Sequence, residues 1–151
     1  MTSPSPLDTA GPLPLESAGP SPLESAGPSP LESAPSIAIV GASNRPGKFG
    51  NAAVRAFLRR GYRVFPVNPR ESTIAGLRAY ASVRELPRPI DIVTVYVPSS
   101  VGLTLIEDIA RLAPRELWLN PGAESDVLIA RARELGLRPI VACSLVGLAG
   151  R

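Results

Sequence analysis

Ten residues, Gly41-Ala-Ser-Asn-Arg-Pro-Gly-Lys-Phe-Gly50, stand between a short apolar run, Ile37-Ala-Ile-Val40, and an amphipathic run that starts near Asn51. A strand, a glycine-rich turn and a helix in that order leave the first helical N–H groups without intrahelical partners. They aim those groups, with the positive end of the helix dipole, at one point where an anion fits. The spelling narrows the class. A Walker A loop has four residues between its glycines and then Lys-Ser/Thr. Here five residues separate Gly41 from Gly47, and Phe49 follows Lys48 where a magnesium-binding hydroxyl belongs. The dinucleotide pattern has glycine at its third position, which here is Ser43. The turn therefore predicts a phosphate site over 41–48 that is neither an ATP-hydrolysing loop nor a plain NAD site.

Beyond residue 35, apolar runs of strand length alternate with helical patterns. Strands are expected at 36–41, 62–67, 91–97, 116–119 and 138–142, with a short piece at 77–80; helices are expected near 50–60, 100–112 and 125–135. In the middle helix Leu105, Ile106, Ile109, Leu112 and Ala113 share one face, and Glu107, Asp108 and Arg111 lie opposite. Gly61 and Gly136 sit where helix C-caps are wanted; Ser99 or Ser100, and Ser125, are candidate N-caps. The strands are continuous apolar runs, as suits a sheet covered on both faces. The pattern predicts an α/β fold, a doubly wound parallel sheet in a single domain. With 77–80 as an edge strand the order is 3-2-1-4-5-6, which puts 91–97 beside 36–41 and the ligand crevice at the carboxyl ends of that pair.

The residues just after each strand are then the candidates. An NAD site wants an acid after the second strand, to hold the ribose hydroxyls. Here the strand ends in Asn68-Pro69-Arg70. A guanidinium grips phosphate oxygens in pairs, so Arg70 suits a phosphorylated ribose, as in NADP or coenzyme A. Lys48, in the first helical turn, suits a pyrophosphate. Tyr96-Val97-Pro98 follows the next strand, Asn120-Pro-Gly-Ala-Glu124 the one after, and Cys143-Ser144 the last. Asn120 and Gly122 are expected to shape their loop, and Glu124 to be a cap or solvated rather than a base. Trp118 is expected in the core, and Cys143 buried and inert. The chain has no histidine. This removes the usual general base, the usual triad and the usual zinc ligands.

Residues 3–34 are four copies of one octad, ending in Gly-Pro-Ser-Pro-Leu-Glu-Ser-Ala twice. Two prolines per repeat defeat helix and central strand alike, so 1–35 is expected to be a disordered tail of polyproline II character, with 36–151 the folded domain. The tail carries four acids (Asp8, Glu16, Glu24, Glu32) and no base, so the whole-chain charge of +3 leaves +7 on the rest. Those bases are scattered, with no aromatic-interleaved stripe, zinc spacing or recognition helix. An anionic small ligand is expected, and no nucleic acid. There is no signal-peptide pattern and no apolar run of membrane-spanning length, so no membrane association and a cytoplasmic location are expected.

Several of these segments together resemble one family. Val40-Gly-Ala-Ser43, Gly47-Lys-Phe-Gly50, Gly61-Tyr62, Val64-Phe-Pro-Val-Asn-Pro69, Leu117-Trp-Leu-Asn-Pro-Gly-Ala-Glu124 and Ala142-Cys-Ser-Leu-Val146 are similar to segments of the stand-alone CoA-binding proteins. These are relatives of the N-terminal domain of the succinyl-CoA synthetase alpha subunit. The resemblance covers essentially all of 36–149 and implies a Rossmann-like CoA-binding fold. It implies that Ser43, Asn44, Arg45 and Pro46 fall where the synthetase loop contacts CoA, that Arg70 falls near its phosphate-binding lysine with a one-residue gap, and that Tyr96, Val97 and Pro98 fall on a third contact. The loop is less glycine-rich than the synthetase's. The synthetase's phosphorylated histidine lies in a domain this chain lacks, so the resemblance does not carry ligase activity with it.

These readings converge on a non-catalytic module that binds coenzyme A or an acyl-CoA through Gly41, Ala42, Ser43, Asn44, Arg45, Pro46, Gly47, Lys48, Asn68, Arg70, Tyr96, Val97 and Pro98, with no metal. An NADP-dependent oxidoreductase, and a scaffold with a vestigial CoA site, remain alternatives. A protein partner or a homo-oligomer remains open.

Overall fold

The first apolar run becomes the second strand of a five-stranded parallel sheet. In the computed structural model, which describes residues 34–149, β1 (Ser36–Val40) is buried along its whole length. It is paired on one side with β2 (Arg63–Val67) and on the other with β5 (Ile92–Val95). The sheet continues through β6 (Glu116–Leu119) to β7 (Pro139–Val141), giving the order β2-β1-β5-β6-β7. The octad repeats lie outside the described residues.

The crossovers are helical. α1 (Phe49–Arg59) joins β1 to β2, α2 (Ser99–Arg111) joins β5 to β6, and α3 (Asp126–Glu134) joins β6 to β7; α4 (Ser144–Gly147) follows. Side chains alternate across the strands and build two cores. Ile37 and Ile39 pack with Val54 and Phe57 of α1, with Trp118, and with Leu148 just after α4. Ala38, Val40, Val93 and Val95 pack with Ile106 and Ile109 of α2 and Leu128 of α3. The sheet is thus covered on both faces, and the domain is α/β with a doubly wound Rossmann-like sheet, as the pattern predicts. Ser125 caps α3, its hydroxyl accepting from Leu128 N–H at 3.1 Å. α2 differs from expectation: Ser99 is its first helical residue and Pro98 its cap, with no side-chain bond.

The piece at 77–80 also differs. β3 (Thr73–Ile74) and β4 (Leu77–Arg78) form an antiparallel hairpin of their own. Ala75 and Gly76 make its turn with φ of +51° and +81°, the doubly left-handed geometry of a tight hairpin. Tyr80, just past the hairpin, pairs with the edge of the large sheet. It bridges Val67 in parallel and exchanges bonds with Pro66 O and Asn68 N. The expected third-strand position is therefore occupied by a single bridge.

The amino ends of the central strands are clipped together. Ser36 N–H donates to Asp91 Oδ2 at 2.8 Å, Ser36 Oγ donates to the same oxygen at 3.1 Å, and Asp91 N–H donates back to Ser36 Oγ at 2.8 Å. Burial by itself raises the Asp91 carboxyl. The Ser36 bonds, with Arg115 and Arg63 beyond, outweigh it and hold the group below its ordinary value.

Candidate functional site

At the opposite, carboxyl end of the sheet three segments meet. Gly41 N–H and Ala42 N–H both donate to Val67 O, at 3.1 and 3.2 Å, and Tyr96 N–H donates to Val40 O at 2.8 Å. The turn after β1 is thereby tied to the ends of β2 and β5. Gly41 has φ +95°, and a Cβ there would stand 3.1 Å from Val97 Cγ1 and 3.3 Å from Tyr96 Cβ. Only glycine lets Tyr96-Val97 approach this closely.

Asparagines hold the loop in shape. Asn68 Nδ2 donates to Ala42 O at 2.9 Å while its Oδ1 accepts from Arg70 N–H at 2.7 Å. Asn44 Nδ2 donates to Glu71 Oε1 and Thr73 O, and its Oδ1 accepts from Ala75 N–H. Asn51 Nδ2 reaches back to Ser43 O at 2.9 Å. Ser43 Oγ accepts from Arg45 N–H at 3.0 Å. The amide side chains of Asn44 and Asn68 are thus committed within the protein; what their segments offer a ligand is backbone.

That backbone is rich in unused donors. Among the described residues the N–H groups of Ser43, Asn44, Gly47, Phe49 and Gly50 have no acceptor. The N-terminus of α1 has no side-chain cap and no acid in its first turn. Arg45, Pro46, Gly47 and Lys48 are exposed around it, and Arg70 is exposed after β2. Among the described residues none of the three cations pairs with a carboxylate. Free amides, an open helix start and three unpaired cations on one rim form a donor set suited to phosphate groups and poorly suited to a cation. No cluster of three or more histidine, cysteine or carboxylate side chains able to hold a metal occurs among the described residues.

A second feature was not foreseen. Thr94, Asn120 and Ser144, at or just beyond the ends of β5, β6 and β7, are buried and bonded to one another. Asn120 Nδ2 donates to Thr94 Oγ1 at 2.7 Å and to Val95 O at 2.8 Å, and Ser144 N–H donates to Asn120 Oδ1 at 2.8 Å. Ser144 Oγ lies 2.8 Å from Thr94 Oγ1 and 3.1 Å from the Tyr96 hydroxyl. The visible signal was a threonine inside an otherwise apolar strand, Ile92-Val-Thr-Val95. Asn120 thus does more than shape its loop. Glu124 is exposed, and its Oε1 accepts from Gly122 N–H at 2.8 Å, closing that turn. Cys143 is half-buried rather than buried, because β7 ends at Val141 and the chain has left the sheet. Trp118 is buried as expected.

The parallel sheet and its helical crossovers define a Rossmann-like α/β domain. The CoA binding domain family matches residues 35–149, and the chain belongs to that family. It is 42% identical over 73 residues to the alpha subunit of an ADP-forming acetate–CoA ligase of Pyrococcus furiosus, a match covering 47% of this chain but only 16% of that subunit. It is 30% identical over 100 residues to the uncharacterized protein YneT of Bacillus subtilis, covering 66% and 74% of the two chains. Among solved structures it is similar to a conserved hypothetical protein of Pyrococcus furiosus, with TM-score 0.69 and 37% identity over 75% of this chain and 98% of that one. A Thermus thermophilus protein gives TM-score 0.70 and 32% identity over 80% and 92%. No helix among the described residues is long and apolar enough to cross a membrane.

Proposed function

We propose that this chain is a binding module for coenzyme A or an acyl-CoA and does no chemistry on it. One observation carries the reading: the uncapped start of α1, with five unused amides and three unpaired cations beside it. Coenzyme A brings a pyrophosphate for the amides and Lys48, and a ribose 3′-phosphate for Arg70. Tyr96-Val97-Pro98, against Gly41, gives the arm beyond the pyrophosphate a wall. Family membership supports the ligand class. The match covers 16% of the ligase subunit, and its reaction is not carried over to this chain.

The binding function resides in 36–151, and residues 1–35 add nothing to it. Native mass spectrometry of protein purified from cells tests the reading. A retained mass equal to coenzyme A or an acyl-CoA is expected, both in the full chain and after deletion of residues 1–34. A retained NADP mass would replace this reading with that of a reductase.

A further inference from the structure

The buried network beyond β5 has a direction, and the direction ends at Tyr96. Ser144 N–H can only donate and Val95 O can only accept, so their bonds at 2.8 Å each fix which end of the Asn120 amide is oxygen. The second Nδ2 proton then goes to Thr94 Oγ1 at 2.7 Å. Three hydroxyls remain: Thr94, Ser144 and Tyr96. Their two mutual contacts, Thr94 to Ser144 and Ser144 to Tyr96, consume two of three hydroxyl protons. One proton is left over.

Left on Thr94 or Ser144, both at 0% exposure, it would be an orphaned donor of the kind native interiors avoid. Tyr96 is the one hydroxyl residue of the three that keeps solvent exposure, and its phenol meets Ser144 Oγ, at 3.1 Å, rather than Thr94 in hydrogen-bond geometry. The chain of donation therefore runs from Asn120 to Thr94 to Ser144 to Tyr96, and Tyr96 keeps its own proton for something outside the network. Burial holds the phenol above its ordinary value of 10.0, against the Ser144 bond that acts the other way, so that proton stays in place.

We propose that Tyr96 is a committed hydrogen-bond donor for a carbonyl oxygen on the pantetheine–acyl arm of the ligand. The inference rests on the coenzyme A reading and names which part of the ligand the far side of the site recognises. The phosphates have their partners on the loop rim. Tyr96 lies across Gly41 from that loop start, where the arm's acceptors are its amide carbonyls and, in an acyl-CoA, the thioester carbonyl.

Two measurements test it. In NMR of the ligand-free protein, the Thr94 and Ser144 hydroxyl protons are expected to be protected from exchange and the Tyr96 hydroxyl proton to exchange freely. The reverse pattern would overturn the inference without reference to any ligand. In calorimetry, Tyr96→Phe is expected to bind coenzyme A or acetyl-CoA about tenfold more weakly than the wild type, and adenosine 3′,5′-bisphosphate, which lacks the arm, equally well. An equal loss for coenzyme A and acetyl-CoA identifies an amide carbonyl; a loss confined to acetyl-CoA identifies the thioester. If the wild type takes up none of the three, the coenzyme A reading falls and this inference with it. If the wild type binds all three and Tyr96→Phe binds them equally, this inference alone falls.

Discussion

A Cβ on Gly50 would stand 2.1 Å from the carbonyl oxygen of Gly41. The buried second residue of α1 and the first residue after β1 are in backbone contact, and this contact brings the free amides of the helix start back over the end of the central strand. Gly50→Ala must push the two apart. Forcing an extra carbon into a filled space costs about 1–3 kcal/mol, and here the displaced atoms are the cradle itself. Thermal denaturation is expected to show that loss, and titration with coenzyme A a larger fractional loss of affinity. A variant with wild-type stability and affinity would mean that the helix start is not held against β1.

Asp91 ties the other end of the sheet. Asp91→Asn is expected to lower stability at neutral pH by about 1 kcal/mol, a hydrogen bond to a charged group discounted for solvent screening. The pH dependence has a fixed sign. The folded carboxyl titrates below its ordinary value of 3.8, so its contribution is present above that value and is lost as pH falls through the folded value. Melting curves of the wild type and the variant are expected to converge below that range. A constant gap down to the lowest pH would show that the charge is not what Ser36 and Arg115 hold.

Ala75 carries the backbone cost of the small hairpin, with φ +51° and its N–H held by Asn44 Oδ1 at 3.3 Å. Ala75→Gly relieves that conformation and is expected to stabilise the domain by roughly 1 kcal/mol. Asn44→Ala is expected to destabilise it and to raise the exchange rate of the Ala75 amide. A destabilised Ala75→Gly would contradict the left-handed turn.

The five sheet strands, their order and the three long helices were legible, apart from the expected third-strand edge at 77–80, because each rests on a local signal: apolar runs bounded by Gly61 and Gly136, and a 3.6-residue period in α2. The β3–β4 hairpin was not. Ala75-Gly76 lacks the Asn-Gly or Asp-Gly signature, and its left-handed alanine is held by Asn44, distant in sequence. The loop 41–50 and the segments at Arg70 and Tyr96 could be placed from their positions after strands. The Thr94–Asn120–Ser144 network could not, because it joins three strand ends that neighbour one another only in the folded sheet. Asn44 and Asn68 show the same limit: their positions were expected, but their side-chain amides are bonded within the protein and hold the loop.

Arg70 decides between ribose forms. If it grips the 3′-phosphate, coenzyme A is expected to bind about ten- to a hundredfold more tightly than dephospho-CoA, the worth of a charge-assisted contact. Arg70→Ala is expected to erase that preference and leave dephospho-CoA binding nearly intact. Equal affinity of the wild type for the two would remove Arg70 from the site.

The most direct measurement is calorimetric titration of the full chain with coenzyme A and, separately, with NADPH, followed by assays for acyl-CoA hydrolysis and NADPH oxidation. Saturable coenzyme A binding, tighter than that of NADPH and with no turnover of either, is the expected result. NADPH binding more tightly than coenzyme A would contradict the central claim.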